Sequence, residues 1–415
     1  MTADSVVVTG LGILSPLGPD VATTMQGLLA GESGVRRIPE QEWGKTPIHL
    51  SAPVPDAWLE ELTETERRRY DRSVHLALAA GRQAWRDAGA PEVEPTRLAT
   101  VVSSGMAGLS NVAVALERWR DKGPIGTPAT TVPGIMPNAV SAVLAIELGA
   151  KGAASSLVSA CASGAESVAQ ALRLIRNNEA DVVVAGGAEA VIHPFVLSAF
   201  AALRALSARH DDPAGTPRPF DRDRDGFVLG EGAAVLVVER RAHAQARGAR
   251  IWAEVLGAAT TCDAFHLVSP EPDGTGAARA ITAALRSAGL VPGDVGHVSA
   301  HATATRAGDV AEAAALRQAF GPALARIPVS ALKSELGHSL GASGAVAAAV
   351  AAHSLHFGFA PPTRNVSEVD VGVDIDVVRD TPRRLPVNSA AAVNSFGFGG
   401  HNGVLVLRRY EATTA

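Results

Sequence analysis

Residues 155–168 read Ser155-Ser-Leu-Val-Ser-Ala-Cys161-Ala-Ser-Gly-Ala-Glu-Ser-Val168. The short apolar run with β-branched Val158 predicts a buried strand that breaks at Ser159-Ala160-Cys161. Ala162 to Leu174 consists of small, good helix formers and predicts a helix. Cys161 then falls at a strand-to-helix elbow. Free N–H groups and the positive end of a helix dipole favour a thiolate there, below the usual thiol value of about 8.5. Most free cysteines are small buried core residues. A nucleophile therefore needs partners elsewhere in the chain.

A second turn of the same kind lies in the other half. Val329-Ser-Ala-Leu-Lys333-Ser-Glu-Leu-Gly-His338-Ser-Leu-Gly-Ala-Ser-Gly-Ala345 leads from a strand into a small-residue helix through a slightly longer loop. An internal repeat places Cys161 and His338 at corresponding elbows, and two halves packed about a pseudo-twofold axis turn both toward one site. The first series of elements has strands at 6–10, 99–103, 155–158, 180–187 and 230–239. Its helices are at 22–31, 60–87, 114–122, 139–148, 162–174, 194–203 and 240–248, and 34–55 and 127–138 are loops. The second has strands at 251–260, 297–300, 327–330, 374–378, 390–393 and 403–408, with helices at 275–288, 309–319 and 339–353. Strands alternating with helices predict an α/β protein of stacked layers. The halves divide at 1–248 and 249–415.

The composition of the 415 residues suits close-packed helices on sheets, with 47% hydrophobic and only 4% aromatic residues. A net charge of −5 gives no footing for nucleic acid or a membrane surface. Two cysteines make no disulfide framework, and a reducing cytoplasm is expected. The start, Met1-Thr-Ala-Asp-Ser5, lacks the basic and apolar regions of a signal peptide. No apolar run free of charges and helix breakers reaches the roughly 18–20 residues of a membrane span, and 342–353 predicts a buried helix. Gly10-Leu-Gly12 lacks the third glycine and the acid of a dinucleotide site. The run Arg67-Arg68-Arg69 reads as a solvated face or a docking patch for an acidic partner.

Three histidines have distinctive settings: His301 in Val298-Ser-Ala-His301-Ala-Thr-Ala-Thr305, His338 in Lys333-Ser-Glu-Leu-Gly-His338, and His401 in Asn394-Ser-Phe-Gly-Phe-Gly-Gly-His401-Asn402. No zinc-type spacing of Cys and His occurs, and no metal is expected. The glycines around Phe396 and Phe398 free the backbone to aim N–H groups at an oxyanion.

Taken together, these segments resemble the β-ketoacyl-ACP synthases of the thiolase superfamily, most closely the elongating type II branch. The likeness runs over nearly the whole chain and includes Gly31-Glu-Ser-Gly34, Pro137-Asn138, Arg218-Pro-Phe-Asp221 through Gly226, and Asp263-Ala-Phe-His266. It implies a thiolase-like fold: two βαβαβαββ halves related by a pseudo-twofold axis and layered α-β-α-β-α. It implies a homodimer, or a heterodimer with a related subunit, that needs no cofactor and receives acyl and malonyl groups from acyl carrier protein (ACP). Fatty-acid, polyketide and mycolate chain elongation all use this chemistry.

By this resemblance Cys161 is the nucleophile, and His301 and His338 bind the malonyl thioester carbonyl. Lys333 supports the site electrostatically, and the N–H groups of Cys161 and Phe398 form the oxyanion hole. Met106, Phe200, Thr303, Thr305, Phe396 and Phe398 contact substrate, with Phe398 as a gate, while Arg67, Arg68, Arg69 and Arg204 contact ACP. Two departures stand out. The usual His-Gly-Thr-Gly-Thr is His301-Ala-Thr-Ala-Thr305, and Ala347 occupies the place of a glutamate that pairs with the lysine in many relatives. Glu335 is expected not to replace that glutamate; water or a backbone group takes the role. Two other readings are weighed. A non-catalytic chain-length subunit lacks the cysteine that this chain has. A thiolase has a second cysteine in the glycine-rich C-terminal segment, whereas 396–402 has none and Cys262 is distant along the chain.

Overall fold

The computed structural model describes residues 5–39 and 46–411. The start of the chain, through residue 4, and the part of the expected 34–55 loop at 40–45 lie outside the described residues. Ten strands form the main sheet system: β1 (Val6–Leu14), β2 (Leu98–Ser103), β3 (Ala154–Ser155), β4 (Val182–Glu189), β5 (Gly232–Arg240), β6 (Ala253–Cys262), β7 (Val295–Ser299), β8 (Val329–Ser330), β9 (Ala390–Gly397) and β10 (His401–Arg409). Their order is β8-β7-β9-β10-β6-β1-β5-β4-β2-β3. From the seam outward, the strand order β1-β5-β4-β2-β3 is matched by β6-β10-β9-β7-β8. Pairing directions repeat as well: β4–β2 and β2–β3 are parallel, as are β9–β7 and β7–β8, while β1–β5 and β6–β10 are antiparallel. The halves join where Val6–Val8 pair with Ala253–Val255. This is the pseudo-twofold architecture.

The helices Ser163–Arg176 and Ser343–Phe357 pack on each other and on strands of both halves, forming the middle layer. Small residues make this approach feasible. A Cβ on Gly164 would sit 2.8 Å from Ala345 N, and one on Gly344 would sit 2.6 Å from Ala165 N. The backbones touch here, and the elbows at the helix starts are drawn together. The helix Arg72–Asp87 covers β1 and β5, and Thr275–Ala288 covers β6 and β10, completing helix–sheet–helix–sheet–helix layering.

Several expectations are corrected. The strand before Cys161 is only Ala154–Ser155, and Val158 is 56% exposed rather than buried. Val158 lies beyond the end of this short edge strand, in the irregular segment 156–159 that leads to the elbow, so no second strand covers it. Residues 60–87 form two helices, Glu64–Arg69 and Arg72–Asp87, because Asp71 caps the second by accepting from Ser73 N at 2.9 Å. The 127–138 loop contains the helix Thr131–Ile135. Residues 374–378 form only an isolated bridge, Val329 to Val377. The expected 342–353 helix extends, with its leading turn, over the 18 residues Leu340–Phe357; that stretch has mean hydropathy 1.3, but 83% of it is buried as the core helix.

Candidate active site

A tight turn, Ala160–Ala162, precedes the first central helix, and Leu340–Ala342 precedes the second. Ala160 and Leu340 both have left-handed backbone, with φ of +51° and +38°. These elbows superpose Cys161 on Gly341. His338 lies three residues earlier and is not the counterpart of Cys161 expected from the repeat. It reaches the thiol because its loop is longer. Ser163 and Ser343 are true counterparts with different tasks. Ser163 Oγ donates to Ala160 O at 2.7 Å and accepts from Ser159 N at 3.0 Å, locking the cysteine elbow. Ser343 Oγ lies 2.9 Å from His338 Nδ1 and holds the imidazole. Fully buried Glu189, at the end of β4, accepts from Ser104 Oγ (2.6 Å), Gly105 N (2.8 Å), Met106 N (3.2 Å) and Gly341 N (3.0 Å). It ties the Met106 loop to the second elbow.

His338 Nε2 lies 3.1 Å from Cys161 Sγ. The ring of His301 stands edge-on to that of His338, centroids 5.4 Å apart. Coordinating atoms of Cys161, His301 and His338 all fall within 4.8 Å of one another. Behind them, Glu312 accepts from His301 N (2.8 Å), Ala302 N (2.7 Å) and Asn394 Nδ2 (3.0 Å). Lys333 Nζ donates to the carbonyl of His301. A backbone group therefore does engage Lys333 where Ala347 offers no acid, and Glu312 supplies an attracting charge. Glu335 instead accepts from Ser334 Oγ at 2.6 Å and feels Arg364.

Burial dominates the electrostatics. It pushes the Cys161 thiol up to about 12, against the pull of Lys333 and of the N–H groups of Phe398 and Cys161. The thiolate expected from the helix N-terminus is thus not the resting form, because desolvation outweighs the dipole. Burial also drives His301 and His338 well below their ordinary value, with Lys333 adding to the effect, so both rings are neutral. Lys333 is pulled down to about 8 by burial, opposed by Glu312.

Cys161, His301, His338 and Glu312 lie in the wall of a cavity of about 750 Å³, with Lys333 behind it, and all six expected substrate contacts, Met106, Phe200, Thr303, Thr305, Phe396 and Phe398, are in the same wall. Phe398 and Phe200 face each other at 6.3 Å, and the hydroxyls of Thr303 and Thr305 lie 3.1 Å apart. Ala302 and Ala304 hold φ of +23° and +61°, left-handed backbone that costs an alanine about 1–2 kcal/mol and that glycine adopts freely. Arg204 is in the cavity wall, whereas Arg67, Arg68 and Arg69 are not. Arg67 donates to the carbonyls of Leu59 and Leu62, Arg68 pairs with Glu64, and Arg69 lies over Tyr70. Cys262, distant in sequence from 396–402, is beside it in space: it pairs with His401, and its thiol donates to Gly399 O at 3.6 Å. It is exposed and outside the cavity wall, so it supplies no second catalytic thiol.

The sequence reading missed Glu312, Asn394, Ser343 and Glu189. Glu312 had a signal, a lone acid in the alanine-rich run Val310-Ala-Glu312-Ala-Ala-Ala-Leu316.

A sulfur that accepts an acyl group, beside two neutral imidazoles that hold charge on a second carbonyl oxygen, defines a carbon–carbon condensing enzyme of thiolase-like fold. Two family models match, "Beta-ketoacyl synthase, N-terminal domain" over residues 3–244 and "Beta-ketoacyl synthase, C-terminal domain" over 252–367. The chain belongs to the β-ketoacyl synthase family. It is 42% identical over 409 residues to a 3-oxoacyl-[acyl-carrier-protein] synthase 2 of Mycobacterium tuberculosis, covering 98% of this chain and 97% of the relative. It is 39% identical over 410 residues to the enzyme of that name in Staphylococcus aureus, covering 98% and 99%. Among solved structures it is similar to a type II polyketide ketosynthase, bound to the hexaketide and in complex with its acyl-carrier protein (TM-score 0.92, 29% identity, 98% and 99% covered). It is also similar to the ishigamide ketosynthase/chain length factor (TM-score 0.89, 35% identity, 98% and 99% covered).

Proposed function

We propose that the chain catalyses decarboxylative condensation of an acyl group from acyl-ACP with malonyl-ACP, giving 3-oxoacyl-ACP, CO2 and free ACP in chain elongation. The observation that carries this is the 3.1 Å approach of His338 to Cys161 in a cavity wall that also carries His301.

In the first half-reaction Cys161 Sγ attacks the acyl thioester and its proton passes to His338 Nε2. The N–H groups of Cys161 and Phe398, which face the sulfur, hold the oxyanion, a donor pair worth about 2.7–4 kcal/mol per member. The ACP thiol leaves with the proton from His338. In the second half-reaction malonyl-ACP places its thioester oxygen against the N–H groups of His301 and His338. The bond to the carboxylate breaks, CO2 leaves, and its electron pair forms an enolate that those imidazoles stabilise. The enolate carbon attacks the acyl group on Cys161, and the sulfur departs as thiolate and takes a proton from solvent, the one proton the overall reaction consumes. The hydroxyl of Ser343 can donate to or accept from His338 Nδ1, so it supports both tautomers the cycle needs. Lys333, bound to the carbonyl of His301, adds positive charge behind the enolate.

ACP is the carrier, and Arg204 with Arg67–Arg69 forms its docking surface. The open edge of β3 and exposed Val158 beyond it support a homodimer, and the two free cysteines, Cys161 and Cys262, support a reducing cytoplasm. The test is turnover: the purified chain with acyl-ACP and malonyl-ACP should release CO2 and one 3-oxoacyl-ACP per CO2. CO2 without a carbon–carbon product, or neither product, would overturn the reading.

A further inference from the structure

We propose that Cys161, His301 and His338 double as a binding site for one thiophilic divalent cation, with Zn2+ as the type, whose occupancy reversibly silences the free enzyme. The proposal stands on geometry; only its acyl-loaded arm rests on Cys161 being the residue acylated in the proposed reaction.

Zinc takes sulfur at about 2.3 Å and imidazole nitrogen at about 2.0–2.1 Å, which in a tetrahedron separates S from N by about 3.5 Å and N from N by about 3.3 Å. Cys161 Sγ and His338 Nε2 are already 3.1 Å apart, and the coordinating atoms of all three residues lie within 4.8 Å of one another. No other group of three His, Cys, Asp or Glu among the described residues gathers in this way. To reach these values the 3.1 Å pair opens by about 0.4 Å and the widest pair closes by up to about 1.5 Å, within reach of side-chain rotation. His301 is suited to that movement, since its buried Nδ1 has no hydrogen-bond partner among the described residues. His338 is held in the manner of a metal ligand, with Ser343 Oγ on the ring nitrogen opposite the one that binds. The cavity supplies room for water in the fourth position.

The charges allow a divalent ion. Ser343 Oγ on Nδ1 leaves His338 Nε2 to face the metal with its lone pair. Lys333 opposes a cation, while the thiolate and Glu312 offset it. As the Zn–S bond forms, Cys161 gives its proton to solvent; the step needs no oxidant. Thiolate with imidazole selects Zn2+ over the hard cations Mg2+ and Ca2+. An acyl group on the sulfur removes one of three ligands, so the acylated enzyme is spared. The spacing 161, 301 and 338 resembles no zinc motif, which is why the sequence pointed away from metal.

The test uses the full chain in metal-buffered Zn2+, with chelator competition to count bound metal and the rate of Cys161 alkylation as a second readout. Expected are one Zn2+ per chain, alkylation slowed by at least about tenfold, recovery with EDTA, and no effect of Mg2+. Cys161→Ala and His301→Ala should lose the bound zinc, and acyl-loaded wild-type enzyme, which needs no substitution, should not take it up. Equal zinc on wild type and Cys161→Ala, or unchanged alkylation at saturating Zn2+, would overturn the proposal. Turnover in metal-free buffer reports separately on the condensation.

Discussion

Glu312→Gln keeps the shape of the side chain but removes the carboxylate that attracts Lys333. In the folded chain burial holds Lys333 at about 8, with Glu312 the first of the groups that raise it. At pH 7.5 about three-quarters of Lys333 is then charged. Loss of a close opposite charge lowers a neighbour by about 1–3 pH units. Lys333 would lose its proton at lower pH in the variant, and a drop of that size would cut its charged fraction at pH 7.5 about threefold to a few hundredfold. Malonyl decarboxylation, which builds negative charge beside the carbonyl of His301, should fall by that factor. The sign follows from the ammonium: wild-type rates decline as pH rises through about 8, where Lys333 loses its proton. In the variant the same decline moves to lower pH, and activity returns on acidification. The assay is the pH profile of labelled CO2 release, with acylation of Cys161 measured in parallel. An alkaline limb at the same pH in both proteins would refute the coupling of Glu312 to Lys333. So would a loss that acid does not restore.

Ser343→Ala leaves His338 Nδ1 buried without its hydroxyl, at a cost of about 1–3 kcal/mol; alkylation of Cys161 by iodoacetamide should slow by about tenfold, and an unchanged rate removes Ser343 from the account. Glu335→Gln should leave decarboxylation near wild type while Lys333→Ala abolishes it, because Glu335 is bound to Ser334 rather than to the lysine; equal losses in CO2 release would contradict this. Charge reversal at Arg67, Arg68 and Arg69 should raise KM for acyl-ACP severalfold and leave acylation by small soluble thioesters unchanged. A KM that does not move takes the patch out of ACP docking.

The layered α/β fold was legible because its strands carry short valine-rich apolar runs, such as Val182–Val184 and Val235–Val238, separated by alanine-rich helices. Cys161, His301 and His338 stood out because each sits at a recognisable turn, whereas Lys333 and the roles of all four came with the family resemblance. Val158 misled because an apolar, β-branched residue in the connection after a two-residue strand looks in sequence like the strand itself. The thiol's state was misjudged because a helix N-terminus can be read from sequence, whereas the desolvation that raises Cys161 depends on what packs over it. Glu312 escaped because its partners, His301 and Ala302 backbone, Asn394 and Lys333, come together only in the folded chain. The repeat correctly paired the elbows but mispaired their residues, since the longer second loop shifts His338 three positions from the place of Cys161.

The central claim is that Cys161 carries the growing chain, and intact-mass measurement tests it most directly. Incubated with acyl-ACPs of graded length and no malonyl-ACP, the wild-type protein should gain the mass of one acyl group, discharged when malonyl-ACP is added. Cys161→Ala should gain none. Acyl mass on Cys161→Ala, or a wild-type adduct that malonyl-ACP does not discharge, would contradict the account.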